Sequence, residues 1–306
     1  FLNFFNIYPT SKYNLIFILT AMLALTYTFK VLFLTYFSYA ETKLLADLRV
    51  SLSDKLYRIY LNKPYSFHLN NNSSKLIRNI DEVSLVVFTL QSLITLITEI
   101  AVFLGISTFV IFYEPKGSLL VILFLGSFGY LFFKKVQTKV KEWGKTRQTH
   151  VGLRFKYLRE AFTSIKDIKI LQRSNEITKT FTTNNKILNL CEIKQTFIDS
   201  LPRLWLEWLV VVGFILLILS MLFLEKELLY IVPLLGLFAA AAFRIMPSLA
   251  RIMNSIQTII FYRPTVDSIY KEFDQESSQN DINEISPKKF FFTRDIDLKN
   301  INFKYS

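Results

Sequence analysis

Five apolar runs are each long enough to cross a bilayer as a helix: Tyr13 to Phe37, Val83 to Phe112, Ser118 to Phe133, Phe197 to Leu224, and Leu228 to about Tyr262. Crossing about 30 Å of hydrocarbon takes roughly 20 residues. Lipid supplies no partner for backbone N–H and C=O groups, so single helices are the form such runs must take. Ser118 to Phe133 is the shortest, but its pattern continues past Lys134 and Lys135, whose long stems can snorkel. The mean hydropathy of +0.33 and 30 Phe in 306 residues fit an all-α membrane protein, not a soluble domain.

The net charge of +12 is distributed by topology. Residues 38–82 carry seven Lys or Arg and residues 134–198 carry fifteen. The turns 113–117 and 225–227 carry one each, as does the stretch 1–12. Basic segments stay in the cytoplasm. The two long segments are therefore expected inside, the two short turns outside, and residues 1–12 as an external loop. An external start followed by five spans leads to the expectation of a further span before Phe1. Because the charge falls where topology requires it, no nucleic-acid partner is expected. Cys191 is the only cysteine, so no internal disulfide can staple the fold.

Both cytoplasmic segments read as helical hairpins continuing the spans. In the first, Leu44, Leu45, Leu48, Leu52, Leu56 and Ile59 follow helical spacing. Each arm has about 22 residues, roughly 33 Å. Pro64 ends the descending arm, Tyr65 to His68 and a polar run follow, and Ser73 or Ser74 is expected to cap the rising helix. The second hairpin turns near Lys169 to Asn175. The transmembrane domain thus covers 13–262. A solvated linker is expected over 263–289, rich in Glu, Asp, Ser and Asn. Over 290–306 the pattern changes to strand-like alternation, Ile296 and Leu298, then Ile301, Phe303 and Tyr305, which predicts the start of a second, soluble domain.

Four cations lie inside these runs: Lys30, Arg203, Arg244 and Arg251. A charge near the bilayer centre costs roughly 2.5 kcal/mol or more, so such residues need a role. Arg244 and Arg251 are seven apart, hence on one helix face about 10.5 Å apart along the axis, and each can grip a phosphate bidentately. Snorkelling to the inner interface competes with ligand binding for Lys30 and Arg251, and an i,i+4 pair with Glu207 competes for Arg203. Glu99 is the one carboxylate deep in an apolar run, either a proton carrier or a paired interior carboxyl. His68 and His150 lack metal spacing and are read as structural or exposed.

Two cytoplasmic hairpins, a polar linker and the stretch Ile296-Asp-Leu-Lys-Asn-Ile-Asn-Phe-Lys-Tyr305 together resemble an ABC exporter (type I exporter, type IV transmembrane domain). Glu160 to Arg173 resembles that family's second cytoplasmic hairpin, and Tyr65 to Phe67 after Pro64 resembles its first coupling turn. The resemblance implies an all-α exporter transmembrane domain with five of six spans, followed by the first strand of an α/β nucleotide-binding domain. It implies that Tyr305 stacks on adenine, and that Pro64, Tyr65, Phe67, Lys169 and Gln172 carry coupling. ATP and Mg²⁺ are then cofactors of a parent chain, since the phosphate-binding, signature and Walker-B motifs would lie beyond Ser306. A second half-transporter, in a homodimer, and the chain's own nucleotide-binding domain are the implied partners.

Within exporters the pattern is most similar to the bacterial flippases of lipid-linked oligosaccharides, whose inward cavity carries basic residues for a pyrophosphate. Lys30, Arg203, Arg244 and Arg251 match in helix and spacing, with Lys30 standing where those flippases carry an Arg. That resemblance implies a membrane-lipid substrate and a bacterial inner-membrane location. Export of another lipid, a drug or a peptide is the nearest alternative. A membrane sensor or scaffold is the alternative from a different class.

Overall fold

Pro64, Asn72 and the buried Glu82 stand at three of the breaks between the helices of this chain. The computed structural model describes residues 12–113, 115–223 and 228–277, and every element among them is helical. The helices are α1 (Lys12–Asn62), α2 (Tyr65–Asn70), α3 (Ser73–Asp81), α4 (Val83–Tyr113), α5 (Pro115–Thr163), α6 (Ile165–Ile170), α7 (Ser174–Phe223) and α8 (Leu228–Ser277). Four of them run for 49 to 51 residues, as expected if spans continue into cytoplasmic arms. Among the described residues, two stretches pass a length-and-composition test for crossing a membrane, 16–62 and 73–112. The stretch 1–11, expected as an external loop, and residues 278–306, with the strand-like pattern and Tyr305, lie outside the described residues.

Contacts divide the chain into two units, residues 1–51 and 52–306. The described part of the first is a single helix with apolar side chains exposed around its circumference, Phe17, Phe29, Leu32 and Tyr36 among them. An all-round apolar helix suits a lipid environment. Its polar groups are satisfied within the helix. Thr20, Thr26, Thr28 and Thr35 each donate to a carbonyl three or four residues back, at 2.8 to 3.0 Å.

In the second unit α4 packs along α8, and α5 packs against both α7 and α8. Two apolar clusters hold the long helical arms together. In one, Leu56, Ile59, Tyr60, Leu76, Val83 and Ile269 are buried together, with Phe67 and Phe273 packed against them. In the other, Val140, Ile198 and Phe261 meet, flanked by Trp143 and Leu201. At Gly144, α5 approaches α8 so closely that a Cβ would lie 2.1 Å from the Phe261 carbonyl oxygen.

Two local expectations change. The cap of α3 is Asn72, whose side chain accepts from the Ser74 N–H at 2.9 Å; Ser73 and Ser74 are already helical. Asn caps at least as well as Ser, and one residue earlier it closes the same turn. The linker expected from Arg263 does not begin there, because α8 runs through Pro264 to Ser277. Burial explains this: Thr265, Ile269 and Glu272 face the bundle interior. The Pro264 carbonyl also accepts from Gln148 Nε2 at 2.7 Å. Pro264 removes one helical N–H, but tertiary contacts on both sides hold the helix.

Candidate substrate site and its cytoplasmic support

The polar seam between α4 and α8 begins with Glu99 and Arg251, paired at 2.6 Å between Nε and Oε1. The helices are antiparallel neighbours, so this contact joins residues 152 apart in sequence. The Glu99 side chain is 13% exposed, and that of Arg251 44%. Arg244 and Ser248, from the preceding turns of α8, also face Glu99. Next to the pair lies a cavity of about 290 Å³ between the two helices. Gln91, Ser92 and Thr95 line it from α4; Arg251, Asn254 and Thr258 line it from α8. Ser92 and Thr95 donate to their own helix at 3.0 Å, which leaves their lone pairs available. Asn254 Oδ1 is buried with no hydrogen-bond partner.

The four cations differ in how they are compensated. Arg203 pairs with Glu207 at 3.1 Å on the open face of α7, the i,i+4 pair anticipated from spacing. Arg251 pairs with Glu99, so Glu99 is a paired carboxyl in this structure. Lys30, in the first unit, lies over the Tyr27 ring at 5.1 Å, a cation–π contact. Arg244 is exposed and has no ion pair within 4.0 Å among the described residues. Arg251 keeps its terminal guanidinium nitrogens for an anion, because only Nε is committed to Glu99.

The residues expected to carry coupling lie at the breaks that flank α2 and α6. Pro64 is the N-cap of α2, with φ −61° and ψ 155°. Phe67 stacks on Tyr60 at 6.3 Å and so ties α2 to the first arm, while Tyr65 is exposed. Lys169 is the penultimate residue of α6, and Gln172, two residues past its end, has φ 52°. The Arg173 N–H reaches back to the Ile168 carbonyl at 3.2 Å, closing a left-handed helix stop that glycine usually fills.

Sequence reasoning missed a buried ionic network at the base of the bundle. Glu82, at the α3–α4 junction, is 1% exposed. Arg147 Nη1 of α5 donates to it at 3.0 Å, and Arg78 Nε lies 3.6 Å away. Arg147 also sits 3.8 Å from Glu192 and over the Tyr262 ring at 5.1 Å. Burial pushes the Glu82 carboxyl up from its ordinary range, against the pull of Arg147 and Arg78. From Arg78 the network continues through Asn79, whose Oδ1 accepts from Arg78 at 2.9 Å and whose Nδ2 donates to the Tyr60 hydroxyl at 2.9 Å. Burial pushes the Tyr60 hydroxyl up to about 12. Glu272 of α8 closes the chain with Lys75 at 2.9 Å. Of all these contacts, only the Arg78/Glu82 spacing of four was visible in sequence.

His150 is structural. Its ring Nδ1 is 2.6 Å from Asn184 Oδ1, and Asn184 Nδ2 donates to its carbonyl at 3.0 Å. Among the described residues no group of three or more His, Cys, Asp or Glu could hold a metal ion.

A family model of the ABC transporter transmembrane region matches residues 1–229. The chain belongs to that family. It is a membrane protein of the ABC exporter type, and transmembrane domains of this kind generally dimerise and pair with nucleotide-binding domains. The match ends two residues into α8, so the expectations for Arg244 and Arg251 rest on the residues themselves.

Proposed function

We propose that this domain exports or flips an anionic amphipathic lipid, with a lipid-linked oligosaccharide as the specific substrate. Arg244 carries the reading: it is a cation in an apolar helix, without an ion pair among the described residues, on the same face as Arg251. Within the second unit Glu99 and Glu207 offset two of the three cations Arg203, Arg244 and Arg251, leaving a net of one positive charge per chain. A homodimer would bring two such charges, which an anionic pyrophosphate headgroup complements. Gln91, Thr95, Asn254 and Thr258 offer hydroxyl and amide groups beside the charge.

In this account the inner leaflet is the entry side. Arg251 and the cavity lie towards the end of α8 that continues into the cytoplasmic arm, where inner-leaflet headgroups sit. The nucleotide domains of the parent would close on ATP, and α2 and α6 would pass that motion to the spans. The bacterial inner membrane is the proposed location, with residues 1–12 outside and the C-terminal end inside.

The test is ATPase stimulation of the complete transporter in nanodiscs by a panel of lipids and peptides. The expected result is stimulation by polyprenyl-pyrophosphate glycans and its loss in an Arg244→Gln/Arg251→Gln double variant that keeps basal turnover. Stimulation that survives the double variant contradicts the anionic-lipid reading. Stimulation by peptides alone would favour a peptide exporter.

A further inference from the structure

A second polar cavity, of about 410 Å³, lies in the cytoplasmic part of the second unit between α3 and α5. Ser74, Lys75 and Arg78 line it from α3, and Gln148, Thr149 and Lys156 from α5. Its lining thus holds three cations and no carboxylate. The pocket opens at the N-terminus of the nine-residue helix α3, where backbone N–H groups and the helix dipole favour an anion. Arg159 adds a further cation at that helix end through a hydrogen bond to Ser73 Oγ.

A buried orphan points to a missing ligand. Ser74 is 3% exposed, and its hydroxyl has no hydrogen-bond partner. A buried hydroxyl left unpaired costs about 1–3 kcal/mol, so such groups usually have a partner. Gly152 supplies the room. A Cβ there would lie 2.7 Å from Arg78 Nη1, so a larger residue would push the guanidinium away from α5 at the pocket wall.

The cations are partly compensated on their outer sides. Lys75 is 2.9 Å from Glu272, Arg78 3.6 Å from Glu82, and Lys156 3.8 Å from Glu160. None of these carboxylates lines the cavity. Each Lys retains two further donors, and Arg78, whose Nη2 donates to Asn79, retains Nη1.

We propose that this pocket binds a phosphate group, on an anionic lipid headgroup or as a free phosphate. The Ser74 hydroxyl would meet the phosphate oxygens at the positive end of the α3 dipole, with Arg78 of α3 and Lys156 of α5 closing on them. Because α3 follows the coupling helix α2, occupancy would brace the first cytoplasmic turn against α5. The site thus reports phosphate or anionic lipid to the moving part of the transporter. It does not depend on the identity of the exported substrate.

The test uses the complete transporter without nucleotide, in two arms. In neutral detergent, inorganic phosphate is titrated by calorimetry against the wild type, Lys156→Gln, Ser74→Ala, and Arg244→Gln as a control outside the pocket. In nanodiscs, the thermal midpoint is compared between phosphatidylglycerol and phosphatidylcholine for the same four proteins. Losing one charged contact should weaken binding about fivefold or more. Weakening by Lys156→Gln and Ser74→Ala but not Arg244→Gln, in the first arm, assigns the site to free phosphate. The same selectivity confined to the phosphatidylglycerol midpoint assigns it to lipid. Lys156 is half-exposed, so its variant should fold, and equal behaviour of the wild type and Lys156→Gln in both arms overturns the proposal.

Discussion

Replacing Arg147 with Met should be among the most damaging single changes in this protein. Glu82 is 1% exposed, and its nearest cation is Arg147 Nη1 at 3.0 Å. At that separation, with an effective dielectric near 20, the attraction is roughly 5 kcal/mol before desolvation. Removing one partner strands the other charge, and broken buried pairs cost about 3–5 kcal/mol. Arg147→Met should therefore lower the unfolding free energy by about 3 kcal/mol or more. Glu82→Met alone should cost less, because Arg147 retains Glu192 and the Tyr262 ring. The double Met variant should recover much of the loss, since apolar replacement of a whole buried pair is often near neutral. The assay is denaturant unfolding in detergent micelles, followed by far-UV circular dichroism, run as a double-mutant cycle. Single-variant losses under about 0.5 kcal/mol, or strictly additive effects, would refute the view that this pair is buried and coupled.

Three further outcomes follow from the geometry. Gly144→Ala should destabilise by about 3 kcal/mol or prevent folding, as its Cβ would meet the Phe261 carbonyl oxygen at 2.1 Å; a thermal midpoint equal to wild type contradicts the close α5–α8 approach. Gln172→Gly should raise stability by about 1 kcal/mol, because φ 52° suits glycine, and an unchanged or lower midpoint counts against the left-handed stop. Burial raises the folded Glu82 carboxyl above its unfolded value of 4.5, so its contribution is full below pH 4.5 and is lost as pH rises through the folded value. Relative to Glu82→Gln, the wild type should therefore lose stability as pH rises through that window, and parallel pH profiles would contradict it.

The helical architecture was legible because lipid and apolar runs leave one solution for the backbone. Pro64 and the turn near Gln172 were legible because punctuation residues act locally. Pro264 misled because its effect was overridden by distant partners, the burial of Thr265 and Ile269 and the bond from Gln148. The cation site was half legible. Arg203–Glu207 follows from a spacing of four, whereas Glu99–Arg251 depends on α4 lying beside α8. The Glu82 network and the Ser74 pocket had no periodic signature, since each draws single residues from helices far apart in sequence.

The central claim is that Arg244 and Arg251 hold an anionic headgroup during transport. Flipping of a fluorescent polyprenyl-pyrophosphate glycan by the complete transporter in proteoliposomes tests it most directly. The account predicts ATP-dependent flipping of the pyrophosphate lipid, none of a neutral polyprenyl glycan, and loss of flipping in Arg244→Gln/Arg251→Gln. Equal flipping of charged and neutral lipids, or undiminished flipping by the double variant, would contradict it.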